Sequence, residues 1–590
     1  MSFHPNDVAR RARFASIGLM GAFLVLLGAF FKTQVLQNAQ YVLQSETNRL
    51  REVPLPAPRG IIYDRSGRVI AENVPGYTVS ILSPAADSLR AVMRRLSGTI
   101  PISASQIDAA VRRYRQAPNR PTAILADASF DVVSVLEEHR VEFPGLIIQS
   151  APKRHYPDGA AVAAFVGYTG EITEAELNNR SFRGYKSGQQ VGKGGLEKEY
   201  EDKLRGREGT RFVEVDAKGR VVREAGARQE ILPEAAPPLY TNIDLDLQDF
   251  TAQLFGDSLQ GGAIAIDPNT GAVLALYSAP SYDPNRFIGG IPADYWRDLN
   301  NDPRRPLYNK VIQGRYPPGS TWKLATATWA LENHVATLNE VMPTPCTGGF
   351  QFGNRYYHCW DPKGHGNLTL ASAIEKSCDV YFYQLGLKIG LSRLIAGGVA
   401  LNFRDKTGID LPGESPGYFP YAIDYYTRLY GARGFSNSVV LNLAIGQGEN
   451  SQTIASMARF YTALATDGQE VRPQIVRRVS AERQRIFTLD SAQSAGIRAA
   501  LAGVVSRGTA AGEQIQGVIM AGKTGSAQNS QDPLHTHAWF VGFAPADKPR
   551  IVVAVLLEFG GHGGHAARLA SKMIEHYLKV APVSAVQSEG

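Results

Sequence analysis

Ser320 and Lys323 place a hydroxyl and an amine at a spacing that can produce an activated nucleophile. Pro317 and Pro318 come just before them, and proline is tolerated at the entry of a helix but not in its interior. The pattern therefore predicts a helix that begins at Ser320 and carries Lys323 on the same face. A desolvated neutral lysine can take the proton of a serine hydroxyl. Taken alone, such a pair more often marks a capping serine followed by a solvated lysine, so other residues must decide.

Two later groups, S-C-D at residues 377–379 and K-T-G-S at residues 523–526, supply assistants for such a nucleophile. The hydroxyl of Ser377 can relay a proton to a departing amine. The charge of Lys523 would help to keep Lys323 neutral, because a nearby like charge lowers the pKa of an amine. The predicted catalytic residues are Ser320, the acyl-accepting nucleophile, with Lys323, Ser377, Asp379 and Lys523.

The K-T-G-S group also predicts how a substrate is held. Lys523 and Thr524 can bind a carboxylate, and Gly525 allows a close approach of the backbone. The backbone N–H groups of Ser320 and Ser526 are expected to form an oxyanion hole. The predicted substrate-binding and oxyanion residues are therefore Thr524, Gly525 and Ser526.

Cys346, Cys359, His365 and Cys378 form a separate candidate site with the pattern C-x12-C-x5-H-x12-C. Three thiolates and an imidazole are a suitable ligand set for a tetrahedral structural zinc ion, although the first spacing is looser than that of ordinary zinc ribbons. An oxidising compartment favours instead a Cys346–Cys359 disulfide with Cys378 as a buried thiol. Three plain buried thiols are the third alternative.

The composition is that of a folded protein with several domains. The chain has 590 residues, of which 44% are hydrophobic and 20% charged, so we expect two to four domains and no long disorder. The net charge of +7 is modest for this length. Because no dense basic stripe with interleaved aromatic residues occurs, we expect no binding of nucleic acid.

The element that must position the whole chain is an apolar segment near its N-terminus. Residues 14–31 carry no charge, and this length can just span the hydrocarbon core of a membrane as a helix. A cleaved signal peptide usually has a shorter apolar stretch and a small-x-small site, and a buried core helix would need something upstream to pack against. We therefore predict an uncleaved anchor. Arg10, Arg11 and Arg13 place residues 1–13 in the cytoplasm and the rest of the chain outside.

Beyond the anchor, the chain divides into two regions of α+β character. Residues 32–235, which begin with a polar helical stalk, contain helices and hairpins but no nucleophile–base pair, as in a structural pedestal or interaction module. In residues 236–580, two apolar strands precede a mostly helical segment and three strands follow it. This order predicts a five-stranded antiparallel sheet covered by helices. Residues 581–590 are predicted to be a flexible tail.

Together these features resemble the class B, monofunctional penicillin-binding proteins. Serine enzymes of that family and class A β-lactamases share S-x-x-K, S-D-N and K-T-G in this order. Asp379 departs from the usual S-x-N and is similar to the elongation-specific branch, whereas the division-specific branch keeps Asn. The resemblance covers nearly the whole chain. It extends to Arg59-Gly60, Asp64-Arg65-Ser66-Gly67, Gly195-Leu196-Glu197, Tyr200-Glu201, Ala444-Ile445-Gly446-Gln447-Gly448, Gly508-Thr509-Ala510 and the run from His537 to Pro545.

The resemblance implies a serine-type D-Ala-D-Ala transpeptidase/carboxypeptidase that serves cell elongation and rod shape. Ser320 would form an acyl-enzyme with a peptidoglycan stem peptide, release D-Ala and pass the acyl group to a neighbouring stem amine. β-Lactams would acylate the same serine. The implied architecture is an anchor, a pedestal/dimerisation domain and a transpeptidase domain. Relatives in the elongation branch carry a metal site at the position of the cysteine cluster, which favours zinc there.

The resemblance also implies partners and a location. About 200 residues of pedestal leave no room for a glycosyltransferase. A SEDS-type, RodA-like glycosyltransferase and other elongation-complex proteins are therefore expected to bind through the anchor and pedestal at the inner membrane, with the catalytic domain in the periplasm. The alternatives are a division-specific class B transpeptidase, a membrane-anchored β-lactamase and a β-lactam sensor. The anchor and pedestal argue against the lactamase, and the complete set of motifs argues against the sensor.

Overall fold

The computed structural model begins with an exposed N-terminal helix. A region of small sheets and helices follows, and then a domain with a larger five-stranded sheet. The structure describes residues 5–580 except 39–49, 119, 144, 180–181, 217–220, 224–228, 432–436, 530–531 and 533. Residues 39–49 of the predicted stalk and the whole predicted tail, residues 581–590, lie outside the described residues.

The N-terminal helix α1 spans Pro5–Phe31 and continues as a π-helical turn, Lys32–Leu36. The segment Ala9–Leu36 is long and apolar enough to cross a membrane. Its side chains do not pack against the described remainder of the chain, and Leu19 is 73% exposed. An apolar helix that buries nothing within the protein needs another apolar environment, which agrees with the predicted anchor.

The described residues of the pedestal between residues 50 and 235 form three small sheets. One has the order β1-β8-β9, a second is the pair β6-β7, and the third has the order β2-β3-β4 with β5 also on β3. The strands are β1 Leu50–Leu55, β2 Ile62–Tyr63, β3 Val69–Ile81, β4 Thr122–Ala128, β5 Leu146–His155, β6 Thr169–Glu171, β7 Gln190–Gly192, β8 Gly209–Val215 and β9 Val221–Arg223.

The pedestal helices cover these sheets and bury their apolar faces. Two of these helices, Ala86–Leu96 and Ala104–Gln116, pack on β3 and β4 through Leu89, Met93 and Val111. Further along the chain, two short helices meet at Tyr200. The helices are α2 Ala86–Leu96, α3 Ala104–Gln116, α4 Phe130–Glu138, α5 Ala163–Val166, α6 Glu174–Leu177, α7 Gly195–Glu199 and α8 Glu201–Leu204, with 3-10 turns Arg140–Glu142 and Gly159–Ala161.

A buried ion cluster joins distant parts of the pedestal sequence. Arg59 donates hydrogen bonds of 2.8 Å to both Glu197 and Glu201, and Arg154 donates one of 2.6 Å to Glu197. The hydroxyl of Tyr156 donates to Glu197 at 3.3 Å. Burial alone would raise the pKa of Glu197, but Arg154 and Arg59 hold it below its ordinary value. These contacts place the start of β2 against α7 and α8.

The C-terminal domain, residues 236–580, is built on the predicted five-stranded antiparallel sheet, which the structure confirms with the order β12-β11-β17-β16-β15. Its strands are β11 Gly261–Ile266, β12 Val273–Ala279, β15 Ala521–Ala527, β16 His537–Ala544 and β17 Ile551–Leu557. Strand β10, Leu239–Tyr240, pairs in parallel with β2 and so extends a pedestal sheet. The helical segment contains the short hairpin β13 Gly349–Phe352 and β14 Arg355–His358 and, further along the chain, a second small pair, Gln469–Val471 and Arg483–Arg485.

Helices cover both faces of this sheet because its strands are apolar on both sides. Trp539 and Val541 face the helices between β12 and β15, whereas Phe540 faces α19. The helices are α9 Leu245–Phe255, α10 Ala293–Asn301, α11 Lys323–Glu332, α12 Leu370–Glu375, α13 Asp379–Ile389, α14 Leu391–Ala400, α15 Asp424–Tyr430, α16 Ser438–Ala444, α17 Ile454–Ala465, α18 Ser491–Ser506 and α19 Gly563–Val580, with 3-10 turns Pro284–Phe287 and Gly319–Trp322.

A second contact, besides β10, ties the two domains together at Asp410. Its carboxylate accepts the hydroxyl of Tyr200 at 2.8 Å and the backbone N–H groups of Ile475 and Val476 at 2.6 and 2.9 Å. Asp410 is buried, so these three donors compensate for its desolvation. The tyrosine comes from the junction between the two short pedestal helices, whereas the carboxylate and the amides belong to the C-terminal domain.

Candidate active site

Ser320 lies in the 3-10 turn Gly319–Trp322, which leads directly into α11. The predicted helix is therefore present, but its first turn is tighter than expected and the hydroxyl of Ser320 does not cap it. Gly319 has φ of +53°, a left-handed conformation that a glycine adopts at little cost. A side chain at that position would meet Ala527 and Ser526 at 3.3 Å, so the turn sits directly against the end of β15.

Hydrogen bonds to three neighbouring segments fix this turn. The indole N–H of Trp539 donates to the carbonyl of Pro317 at 2.9 Å, and the hydroxyl of Tyr461 donates to the carbonyl of Thr321 at 3.0 Å. The backbone N–H of Gly319 donates to the carbonyl of Gly446 at 2.9 Å. Ser320 is therefore held between the sheet and the helical segment on a rigid support.

Lys323 is completely buried, and its amine contacts the side chains of Ser377 and Asp379 in the S-C-D group. It donates to the carbonyl of Ser377 at 2.7 Å, to the hydroxyl of Ser377 at 3.3 Å and to Asp379 at 2.8 Å. Burial raises the pKa of Asp379, while the amine of Lys323 opposes that effect. The structure thus brings together three of the predicted catalytic residues.

Ser377 holds an unusual backbone conformation at this point. Its φ is +56°, which is uncommon for a residue with a side chain and costs of order 1–3 kcal/mol. The conformation turns the chain between α12 and α13, so that Ser377 and Asp379 both reach the amine of Lys323. No pattern of residue types in the sequence predicts a left-handed serine here.

Lys523 is the buried amine of the third motif. Its Nζ donates to the carbonyl of Thr524 at 3.0 Å. Burial, followed by the positive charge of Lys323, lowers the pKa of Lys523 well below its ordinary value, and Asp379 acts in the opposite direction. The sequence predicts that the charge of Lys523 lowers the pKa of Lys323. In the structure, the resolved shift is the lowering of the pKa of Lys523, to which the charge of Lys323 contributes.

The remaining residues of K-T-G-S lie along β15, the edge strand nearest to the nucleophile turn. A side chain at Gly525 would meet the carbonyl of Pro318 at 3.1 Å, which explains the glycine. The hydroxyl of Thr524 hydrogen-bonds with that of Thr509, a residue that site prediction missed although the Gly508-Thr509-Ala510 run contains it. Ser526 is exposed, and its hydroxyl accepts the backbone N–H of Gly563 at 3.1 Å.

The four predicted metal ligands also meet at one point. One ligand atom from each of Cys346, Cys359, His365 and Cys378 lies within 4.8 Å of the others, and all three thiols are free. The Nδ1 atom of His365 is 3.6 Å from the sulfur of Cys346 and 3.5 Å from that of Cys359. A tetrahedral zinc ion with bonds of about 2.0–2.3 Å needs ligand separations of about 3.3–3.8 Å. The donor set and these distances fit zinc, and the Cys346–Cys359 disulfide is not formed.

This cysteine cluster is directly connected to the S-C-D group. Cys378 precedes Asp379 at the start of α13, and Cys359 precedes Trp360, whose backbone N–H donates to Asp379 at 3.1 Å. Trp360 is a second residue that the sequence did not identify. Its position becomes visible only when the fold brings the hairpin β13–β14 beside α13.

Comparisons with known proteins give one consistent result. The model of the penicillin-binding protein transpeptidase domain matches residues 261–575, and that of the penicillin-binding protein dimerisation domain matches residues 54–232. The peptidoglycan D,D-transpeptidase MrdA of Acinetobacter baumannii is 31% identical, with 96% of this chain and 87% of the relative covered. MrdA of Escherichia coli K12 is 30% identical, with 96% of this chain and 94% of the relative covered.

Solved structures agree over most of the chain. The complex between penicillin-binding protein PBP2 and MreC from Helicobacter pylori has a TM-score of 0.79 at 28% identity, covering 90% of this chain and 99% of that one. A structure described as the coordination of polymerization and crosslinking by a peptidoglycan synthase complex has a TM-score of 0.70 at 27% identity. It covers 98% of this chain and 100% of that one, so the similarity includes anchor, pedestal and C-terminal domain.

Proposed function

The chain belongs to the family of penicillin-binding protein transpeptidases, and from that premise we propose which of its residues perform the reaction and with which partners. It is a peptidoglycan D,D-transpeptidase of cell elongation, as its relatives named MrdA and its structural neighbours named PBP2 are. The prediction made from the motifs is thereby confirmed in fold class and reaction. The observation that carries the residue assignment is the convergence of Lys323, Ser377 and Asp379 beside the turn of Ser320.

In the first half-reaction, the Oγ of Ser320 attacks the carbonyl between the two D-Ala residues of a stem peptide. Its proton passes to the amine of Lys323, which is desolvated and fixed by Asp379. The C–N bond breaks, and the hydroxyl of Ser377, hydrogen-bonded to Lys323, passes a proton to the departing amine of D-Ala. In the second half-reaction, a neighbouring stem amine attacks the acyl-enzyme and the protons return along the same path.

Substrate binding uses the edge strand β15. Thr524 and Lys523, which are neighbours on this strand, receive the C-terminal carboxylate, and the arrival of a negative charge favours the protonated form of Lys523. The backbone N–H groups of Ser320 and Ser526 receive the developing oxyanion. The close packing of Gly525 on the nucleophile turn sets the distance between Ser526 on the strand and Ser320 on the turn.

A fluorescent penicillin tests this assignment. The purified chain is expected to keep the label on Ser320, and Ser320→Ala is expected to lose it while the exposed control Ser506→Ala keeps it. Lys323→Ala is expected to slow labelling by at least about 10²-fold, because a base contributes 10²–10⁴-fold. Rapid release of hydrolysed penicillin would contradict the transpeptidase and support a β-lactamase. If the chromosomal gene is replaced by one that encodes Ser320→Ala, round cells would indicate a role in elongation, whereas filamentous cells would indicate a role in division.

We further propose that Cys346, Cys359, His365 and Cys378 hold a structural zinc ion. The support is the free state of the thiols and the match of the sulfur–nitrogen separations to a tetrahedral site. Bound zinc supplies no step of the reaction; it would fix the loops on either side of Asp379 and so the position of Lys323.

Metal analysis tests the zinc proposal directly. We expect one zinc ion per chain, a loss of that zinc in His365→Ala, and retention in His358→Ala, an exposed histidine at the end of β14. Thermal unfolding of the metal-depleted protein is expected at lower temperature, since metal binding stabilises only the folded chain. A purified ectodomain without zinc but with a Cys346–Cys359 link in mass spectrometry would contradict the proposal.

We also propose an orientation and a partner. The arginines before the anchor favour a cytoplasmic N-terminus and a periplasmic catalytic domain in the inner membrane. A SEDS-type, RodA-like glycosyltransferase is the proposed partner, supported by the similarity to a chain from a peptidoglycan synthase complex. Replacing residues 9–36 by an unrelated anchor should strongly reduce co-purification with that glycosyltransferase but not penicillin labelling. Unchanged co-purification would leave the pedestal as the sole contact.

A further inference from the structure

A cavity of about 540 Å³ lies beside the nucleophile turn, at the end of the sheet where β15 finishes. Tyr316 and Pro317, just before the turn, line one side of it. Asn529, two residues beyond β15, and Phe559, two residues beyond β17, line another. Its volume is in the range of ligand sites, and none of the reaction steps above uses it.

The cavity has an excess of positive charge. Arg305 and Arg315 line it, both are exposed, and neither guanidinium forms an ion pair with any residue that the structure describes. Arg304 also lines it but is bound to Asp302 at 2.8 Å. The proximity of both unpaired arginines is visible at Tyr308, where burial raises the phenol pKa and Arg315 and Arg305 oppose that rise.

The other charged groups at the cavity are already satisfied. Glu558 accepts the hydroxyl of Tyr316 at 2.8 Å. His537 accepts the backbone N–H of Phe559 at 3.1 Å and burial lowers its pKa to about 4, so it is neutral at neutral pH. One carboxylate thus faces two unpaired guanidiniums, so an anionic ligand is favoured over a cation.

The loop that carries Arg305 is held in place by a buried amine. The Nζ of Lys310, which is 1% exposed, donates to the carbonyl of Arg304 at 2.8 Å and to that of Arg305 at 3.4 Å. Arg305 itself has φ of +54°, a conformation that a large residue adopts only when its surroundings impose it. Strained residues of this kind cluster at ligand sites, and here the strain orients an arginine.

The direction of a bound substrate leads to this cavity. An extended peptide can add to the free edge of β15 as a further strand, in which each residue advances about 3.3 Å. With its C-terminal carboxylate at Thr524 and its scissile carbonyl at Ser320, the chain upstream of D-Ala-D-Ala runs toward Ala527 and Asn529. The residues that precede D-Ala-D-Ala therefore arrive at the cavity.

We propose that this cavity is a substrate subsite in which Arg305 and Arg315 bind free carboxylates of the stem peptide upstream of D-Ala-D-Ala. The inference rests on the proposed function and specifies its substrate: an acidic stem peptide is accepted in preference to an amidated one. A guanidinium matches a carboxylate with two parallel N–H donors, and such charge-assisted pairs are stronger than neutral hydrogen bonds. The arginines act on binding and specificity, not on the acyl transfer itself.

The test compares two synthetic pentapeptides ending in D-Ala-D-Ala, one with free upstream carboxylates and one with the same groups amidated. Release of D-Ala is measured for the full-length protein in detergent and for Arg305→Gln, Arg315→Gln and the double variant. For the parent protein, kcat/KM is expected to be about tenfold or more higher with the acidic peptide, the equivalent of one charge-assisted bond. In the double variant the preference is expected to fall to about onefold, mainly through KM.

Arg297→Gln, an exposed arginine on α10 outside the cavity, is the matched control and should keep the preference. Equal use of the two peptides by the parent protein would overturn the inference, as would an unchanged preference in the double variant. Parallel losses with both peptides would also overturn it, because they indicate a structural effect. Persistent penicillin labelling of Ser320 in the same preparation keeps the proposed function intact in each of these cases, whereas absent labelling would reject that function itself.

Discussion

Among single residues, Ser377 has both a strained backbone conformation and a hydroxyl with a proposed role in the reaction. Its φ is +56°, and its hydroxyl accepts a hydrogen bond from the amine of Lys323. Removal of the hydroxyl and relief of the strain can be separated by two substitutions. We expect Ser377→Gly and Ser377→Ala to slow penicillin acylation alike, by about 10–10²-fold, since both lose the proton relay. The glycine variant should be more stable to unfolding by about 1 kcal/mol, because glycine adopts this φ without a Cβ clash.

Urea unfolding and the rate of penicillin labelling measure the two effects. A glycine variant that is less stable than the alanine variant would show that the backbone conformation is not strained. A glycine variant that acylates at the rate of the unsubstituted protein would show that the hydroxyl takes no part in the reaction.

His537 gives the stability of the C-terminal domain a pH dependence. Burial lowers its pKa from 6.5 to about 4, so the folded chain binds fewer protons than the unfolded chain between these values. Its contribution is therefore complete above pH 6.5 and is lost as the pH falls toward 4. The loss is of the order of 2–3 kcal/mol. Unfolding of the parent protein at pH 7.5 and 4.5 should show this fall, and His537→Asn should show less of it, whereas the exposed His565→Asn should behave like the parent.

Among secondary-structure elements, the spacing between β15 and the nucleophile turn decides whether the site is assembled. A Cβ at Gly525 would lie 3.1 Å from the carbonyl of Pro318, 3.2 Å from Thr321 and 3.3 Å from Trp539. We expect Gly525→Ala to push the strand away from Ser320 and to slow acylation by about 10–10²-fold, because small misplacements are costly in a preorganised site. Stability should fall by only about 1–2 kcal/mol, as for overpacking.

Gly512→Ala is the matched control, since a Cβ there would meet nothing within 4 Å. It should leave both the labelling rate and the unfolding midpoint close to those of the parent. If Gly525→Ala acylates normally, the close packing of β15 on the nucleophile turn has no part in catalysis.

The elements were predictable where residue pattern alone determines them. The apolar strands around residues 263–276 and 537–557, and the helix after Ser320, follow from periodicity and from proline and glycine placement. Features that depend on a distant partner were not predictable. Ser377 contacts Lys323, the N–H of Trp360 donates to Asp379, and Tyr200 donates to Asp410, so each of these features depends on a residue outside its own element.

In the whole molecule, the pedestal and the C-terminal domain are connected by specific polar contacts as well as by packing. The motifs that contain Arg59 and Glu197 can be recognised in the sequence. The sequence does not predict that the two residues form one buried cluster, because they lie 138 residues apart. Removing one partner of a buried ion pair costs about 3–5 kcal/mol. The cluster fixes α7 and α8, and the tyrosine between them reaches Asp410 in the other domain. The pedestal is thereby placed relative to the active-site domain.

Tyr200→Phe tests whether this contact makes the two domains unfold together. It removes one donor from Asp410, which keeps the N–H groups of Ile475 and Val476, and should cost about 1 kcal/mol. Tyr185→Phe removes a similar hydroxyl from Glu201 within the pedestal and is the matched control. If the contact couples the domains, Tyr200→Phe alone should separate the calorimetric transitions of pedestal and C-terminal domain and raise hydrogen exchange in residues 195–204, while penicillin labelling stays normal. A single transition in both variants would show that the other contacts between the domains, among them β10 and the hydrogen bonds of Gln248 and Asn309 to the pedestal, suffice to hold them together.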